Sequence, residues 1–250
     1  KHHPEFSIQK LDYDDPETYK MLGQGDTEGV FQLESSGMKQ VLVGLQPQNL
    51  EDVIALISLY RPGPMDSIPT YLRNRHEPDK ISYKTPQLAH ILDVTNGCIV
   101  YQEQVMQIFR ELAGFSFGQA DNVRRAMSKK KHAVMEAERE HFVHGCTEPG
   151  HECPGCVANG IPEQVANQIY DEMSSFASYA FNKSHAACYA YVAFQTAYLK
   201  CHYPSQFMAA LLTSVLDNTD KVIEYSGECA RLGIKVLPPD VNISNGGFTA

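Results

Sequence analysis

The chain has 250 residues, 43% of them hydrophobic and 20% charged, with a formal net charge of -9. That length gives one large domain or two small ones a real core, and no apolar run reaches the roughly 18 residues that a membrane-spanning helix needs. The acidic balance argues against indiscriminate nucleic-acid binding, so any such contact has to be focused on local basic patches.

Helix signals dominate, and the expected class is mostly α with a few short strands. Asp15-Pro16 reads as a cap followed by a first-turn proline, starting a helix through Leu22. Val30-Phe31-Gln32-Leu33 reads as a short strand, and a helix from Ser36 to about Gly44 follows. Asn49 caps the next helix, whose Val53, Ile54, Leu56, Ile57 and Tyr60 make it apolar nearly all round and therefore buried. Arg61-Pro62-Gly63-Pro64 stops it. A weaker helix covers Ser67 to His76, another runs from Thr85-Pro86 to about Asp93, and Cys98 to Tyr101 reads as a second strand. A longer helix spans Glu103 to Ala113. Gly114 and Gly118 bracket a turn, a basic helix begins, and His132 to His144 is amphipathic. Pro162 starts a helix through about Phe176. An aromatic helical block runs from Ser184 to Leu216, divided at Pro204. The expected organisation is one domain over residues 1–237, with Pro238-Pro239 opening a linker over 238–250. The chain has no initiator methionine and no signal-peptide pattern, and reads as a segment of a longer cytoplasmic protein.

The run from Arg124 to Lys131 holds Arg124, Arg125, Lys129, Lys130 and Lys131. On one continuous helix Arg124, Met127 and Lys131 share a face, and Arg125 and Lys129 share the next. Cations packed so closely repel one another unless something anionic sits among them, and a triphosphate or a nucleic-acid backbone is the natural candidate. The ordinary alternative is a solvated basic face.

Cys146, His151, Cys153 and Cys156 crowd into one loop with the spacing C-x4-H-x-C-x2-C. Three sulfurs and an imidazole select zinc over magnesium or calcium. His144 is the alternative fourth ligand. Four protein ligands leave no open position for water, so the expected ion is structural and pins the turn between the neighbouring helices. The deaminase pattern does not fit, because His151-Glu152 abuts Cys153 and Pro154 follows the cysteine instead of preceding it. Cys98, Cys188, Cys201 and Cys229 read as buried reduced thiols. Further on, Asn182-Lys183-Ser184-His185 forms a polar entry to the aromatic block. Asn182 or Ser184 is placed to cap the helix, and aromatics beside a basic, amide-rich turn suit stacking on a base or ribose. Tyr189, Tyr191, Phe194 and Tyr198 read mostly as core.

These motifs together resemble the alpha subunit of bacterial DNA polymerase III, the C-family of replicative polymerases. The carriers are Gly29-Val-Phe-Gln-Leu-Glu-Ser35, Ile54-Ala-Leu-Ile-Ser-Leu-Tyr-Arg-Pro-Gly-Pro64 and Val100-Tyr-Gln-Glu-Gln-Val-Met106, then Arg124-Arg-Ala-Met-Ser-Lys-Lys-Lys131, Phe181-Asn-Lys-Ser-His185, Tyr198-Leu-Lys200, His202-Tyr-Pro204 and Phe207-Met-Ala-Ala-Leu-Leu212. The resemblance implies a multi-helix fingers domain in which Arg124 and Arg125 grip the triphosphate of an incoming dNTP and Lys129 to Lys131 add positive potential. It implies that Asn182 to His185 lie near the nascent base pair or template. Primer-template DNA, a sliding clamp and other replisome subunits are the implied partners of the parent. Its Mg2+ would be held by palm aspartates, and no acidic cluster of this chain matches them, so the fragment by itself is expected to bind without polymerising. Ser128, Ser178, Ala180, Ala186 and Asn96 depart from the usual family residues, and the cysteine loop resembles an insertion. A zinc-stapled helical interaction module with no nucleotide role is the competing reading.

Overall fold

Among the described residues the chain forms thirteen α-helices and no strand. In order they are α1 (Pro16–Gly23), α2 (Ser36–Leu45), α3 (Leu50–Leu59), α4 (Ile68–His76), α5 (Ala89–Leu92), α6 (Gln102–Ala113), α7 (Phe117–Ser128), α8 (His132–His144), α9 (Gly155–Ala158), α10 (Glu163–Ala177), α11 (Lys183–His202), α12 (Pro204–Ser214) and α13 (Thr219–Arg231). This computed structural model describes residues 6–129, 132–177 and 179–250, apart from the side chains of Ser128, His132, Ala133 and Ala177.

The helices start where short polar side chains satisfy their first N–H groups. Asp15 accepts from Thr18 N at 2.9 Å, Ser35 from Met38 N at 3.3 Å, and Asn49 from Asp52 N at 3.0 Å. Ser116 and Gln119 form a reciprocal capping box on α7, so Gly118, expected in a turn, lies inside that helix. Asn218 caps α13, a helix the sequence reading passed over.

The two expected strands do not form. Val30–Leu33 is a turn, with Val30 N donating to Thr27 O and Leu33 N to Val30 O. Cys98–Tyr101 contributes a single parallel bridge, Tyr101 to Phe181. A β-rich composition makes a strand only when a neighbouring chain takes up its hydrogen bonds, and here Val30–Leu33 bonds within its own turn while Cys98–Tyr101 meets Phe181 at one position.

The chain divides into two compact units, one made of Lys1–Ile54 with Ala187–Ala250, the other of Ala55–Ala186. Both junctions fall within helices, α3 and α11. In the second unit, α6 supplies Val105, Ile108, Phe109 and Leu112 to a core completed by Phe142, Val143, Ile169, Tyr170 and Met173. Phe109, Phe142 and Tyr170 meet edge-on or tilted with ring centroids 5.0–6.0 Å apart.

In the first unit, Met208, Leu212, Tyr225 and Cys229 form the core between α12 and α13. The inward stripe of α11 is Ala190, Ala193, Phe194 and Ala197, continued by Lys200. Those alanines take the inward positions, which leaves Tyr191 exposed and Tyr189 and Tyr198 half-buried; of the four aromatics read as core, Phe194 alone is buried. The Lys200 side chain is fully buried, with Nζ donating to Glu228 Oε1 at 2.7 Å, Glu28 O at 3.0 Å and Asp26 Oδ1 at 3.5 Å. Three acceptors match the three donors of its ammonium.

Candidate nucleotide and nucleic-acid interface

Four consecutive residues at the start of α6 organise the second unit. Tyr101 sits in the bridge to Phe181, with Gln102 N donating to Phe181 O at 2.9 Å and Phe181 N to Val100 O at 3.1 Å. Gln102 then divides its amide, Nε2 donating to Ala180 O and Oε1 accepting from Arg124 Nη1, both at 3.0 Å. The Glu103 carboxylate accepts from Asn182 Nδ2 at 2.9 Å and from Lys183 N at 3.1 Å. Gln104 is buried, and its Oε1 accepts from the backbone N–H of Val100 and Tyr101 while its Nε2 donates to Ile91 O and Thr95 Oγ1. The Tyr-Gln-Glu-Gln motif is therefore the joint between the basic helix and the Asn182–His185 turn.

Asp121 supplies an anion for the two arginines from within the chain. It accepts from Arg124 Nη2 at 2.7 Å and Nε at 3.0 Å, while its second oxygen lies 2.7 Å from Arg125 Nε. The hydrogen bond from Arg124, with both guanidinium charges, holds the Asp121 carboxyl below the usual range. Arg124 is drawn in, its side chain 17% exposed, and Arg125 faces outward at 65%. The basic run does not continue on one helix: α7 ends at Ser128, and Lys129 closes it with its N–H on Arg125 O at 3.1 Å and its side chain exposed. Lys130 and Lys131 lie outside the described residues.

Asn182 caps α11, accepting from His185 N at 2.9 Å, so Ser184 is a helical residue and not the cap. Asn182, Ser184 and His185 are exposed. Lys183 Nζ lies 5.2 Å from the centre of the Tyr101 ring, and His185 meets Phe181 edge-on at 5.3 Å. The elbow after α3 joins the same place. Arg61 Nη2 donates to Tyr179 O at 2.7 Å, and its guanidinium sits 4.1 Å over the Phe181 ring. Gly63 makes this approach possible: at φ 101° it faces Tyr179, and a Cβ there would stand 2.4 Å from Cδ1 of that ring.

Sequence reasoning missed the parts played by Arg61, Gln102, Glu103, Gln104 and Asp121. Asp121 carried a readable signal, standing three and four residues before the arginines on one helix face. The others act at least partly through distant partners, such as Tyr179 for Arg61, Ala180 for Gln102, Asn182 for Glu103 and Ile91 for Gln104, which no local pattern encodes.

In the cysteine loop, Cys146 and Cys153 face each other across an antiparallel bridge with both N–H···O bonds at 2.9 Å. Gly155, at φ 79°, packs against the backbone of Gly145, where a Cβ would meet Gly145 N at 2.3 Å. Burial, with the Cys153 sulfur beside it, pushes the Cys156 thiol up to about 12. His144 Nε2 lies 3.9 Å from both Glu140 and Glu163. The His141 ring, which the sequence reading did not consider, lies 6.5 Å from that of His151, and Cys153 Sγ is 3.5 Å from His141 O. Among the described residues, three potential ligand atoms come within 4.8 Å of one another at Glu17, Cys201 and His202, and not in this loop. Of the four scattered cysteines, Cys98 and Cys229 are buried as expected, but Cys188 is exposed and Cys201 half-buried, because each sits off the inward stripe of α11.

Fold and site together define a helical module that presents arginine and lysine side chains beside an amide- and imidazole-bearing turn. Residues 1–150 match the family model described as the bacterial DNA polymerase III alpha subunit finger domain. The chain belongs to that family. It is 50% identical over 249 residues, 98% of its length, to the DNA polymerase III subunit alpha of Thermus aquaticus, and 45% identical over 238 residues, 95% of its length, to that of Staphylococcus aureus strain Mu50. The chain spans about a fifth of the length of these relatives, 20% and 21% respectively. No helix of the described residues is long and apolar enough to cross a membrane.

Proposed function

We propose that this chain is the part of a DNA-directed DNA polymerase that receives the incoming dNTP and primer-template DNA during replication. The observation that carries the reading is the joint at Gln102 and Glu103, which ties Arg124 to the Asn182–His185 turn. Arg124 and Arg125, with Lys129 and the following Lys130 and Lys131, hold the triphosphate. Guanidinium forks suit phosphate oxygens, and phosphoryl transfer is catalysed by positioning and charge stabilisation. Asp121 keeps the two forks oriented until a ligand of higher charge shares them. Asn182, Lys183, Ser184 and His185 line the nascent base pair or the template. Mg2+, when bound in the parent, neutralises charge on the transferring phosphate. The ion is assigned to aspartates of the parent outside these residues. Sliding clamp and other replisome subunits are the partners of the cytoplasmic parent.

Arg124→Ala/Arg125→Ala tests this. In the parent polymerase the double variant should weaken nucleotide use by about 1.5–3 kcal/mol per lost charged contact, measured as kcat/KM for dNTP across a salt series. A wild-type nucleotide dependence would reject the assignment. It would favour the reading as an interaction module with no nucleotide role, which the Asp121 pairing supports, since one of the two guanidinium charges there is already offset within the chain.

The Cys146, His151, Cys153 and Cys156 loop enters the proposal as a structural zinc site. The backbone pairing of Cys146 and Cys153 supports it, although an ion would have to draw the ligand atoms closer together than they stand. About one tightly held zinc per chain is expected after mild, chelator-free purification, and elemental analysis finding none would remove the loop from the scheme.

A further inference from the structure

In the first unit, a carboxylate oxygen of Glu17, the sulfur of Cys201 and an imidazole nitrogen of His202 lie within 4.8 Å of one another. Two helix ends bring them together: Glu17 stands in the first turn of α1, and Cys201 and His202 close α11.

A second observation concerns the imidazole. His202 Nε2 lies 2.9 Å from Asp15 Oδ2, an oxygen that also accepts from Thr18 N at 2.9 Å and Thr18 Oγ1 at 2.5 Å. An ionised carboxylate can only accept, so the ring proton is on Nε2 and the lone pair of the neutral ring is at Nδ1. Nδ1 lies 3.9 Å from Glu17 Oε2. A carboxylate behind one nitrogen fixes the tautomer and strengthens the other as a metal ligand. The Tyr198 ring, 4.4 Å away, packs against His202 and steadies its plane.

We propose that Glu17, Cys201 and His202 form a divalent transition-metal site, with Asp15 as the positioning group behind His202. One sulfur, one imidazole and one carboxylate suit zinc and not magnesium or calcium. With metal–ligand bonds of about 2.0–2.3 Å, ligand atoms of a tetrahedral site stand roughly 3.5 Å apart. The 3.9 Å between Nδ1 and Oε2 is close to that spacing. Three protein ligands leave a fourth position for water. As the zinc–sulfur bond forms, the Cys201 thiol gives up its proton to solvent. Glu17 is exposed and Cys201 half-buried, so an ion has access from solvent.

The test treats the chelator-stripped chain with iodoacetamide, with and without Zn2+, and follows each cysteine by peptide mass spectrometry, which separates Cys201 from the Cys146–Cys156 loop. Zn2+ should slow alkylation of Cys201 about tenfold or more, and His202→Gln should abolish that protection. Asp15→Asn keeps a helix cap of equal rank and should raise the Zn2+ needed for half-protection about 10–100-fold. The alkylation rate without metal and the helical circular dichroism check that each variant keeps its fold. Equal alkylation of Cys201 with and without Zn2+ in the unaltered chain overturns the proposal, as does protection that survives His202→Gln.

Discussion

Gln104 shows what one side chain settles at the scale of a residue. It is buried, and both ends of its amide are fully used: two backbone N–H groups on the oxygen, a carbonyl and a hydroxyl on the nitrogen. Leucine fills a similar volume but satisfies none of them. Each group left without a partner costs about 1–3 kcal/mol, so Gln104→Leu should lower stability by several times the cost of an exposed substitution, as read by urea denaturation. Lys200 follows the same logic with a charge. Its ammonium is tolerated in the interior because Glu228, Asp26 and the Glu28 carbonyl surround it.

At the scale of an element, α11 starts where it does because two acidic or amide groups meet its first turn. Asn182 caps it from within the chain, and Glu103 reaches across from α6 to Lys183 N. Glu103→Ala removes the second cap and should cost about 0.5–2 kcal/mol, with faster amide exchange at Lys183. The first turn of α11 carries the Asn182–His185 group, so on the proposed function this variant should also raise KM for dNTP or DNA more than it lowers kcat. The basic helix is likewise set by its ends. Its capping box begins it at Phe117, and it closes after Ser128, which keeps Arg125 in the last turn, where the carbonyl end of a helix favours cations.

At the scale of the molecule, the first unit is tied together by a charged cluster linking α11, α13 and the turn at Asp26. Burial pushes the Glu228 carboxyl up, but the hydrogen bonds and charges of Arg231 and Lys200 outweigh it and hold the carboxyl below its ordinary value of 4.5. A carboxyl depressed in the folded state stabilises fully above its unfolded value, and that contribution is lost as pH falls through the folded one. Thermal melts should therefore show stability falling below about pH 4.5, and Glu228→Gln should flatten that slope while lowering stability near neutrality. Much of this architecture was legible. The caps at Asp15 and Asn49, the stop at Arg61-Pro62-Gly63-Pro64 and the helical class follow from local chemistry, because a cap or a proline acts within one turn of itself. The expected strands were not decidable locally, since a strand needs a pairing partner along its length, and Cys98–Tyr101 meets one at Tyr101 alone while Val30–Leu33 closes on itself as a turn. The arginines were legible as a candidate site, and so, by its spacing, was Asp121. Tyr101 to Glu103 joining Arg124 and residues 180–183, with Arg61 meeting Tyr179 and Phe181, was not, because those contacts are fixed by where helices pack. By itself the sequence determined which residues carry charge, which begin and end helices, and the family the motifs resemble. Tertiary structure alone decided which cations meet which anions, because a hydrogen bond depends on a few tenths of an ångström between groups that the chain holds far apart in sequence.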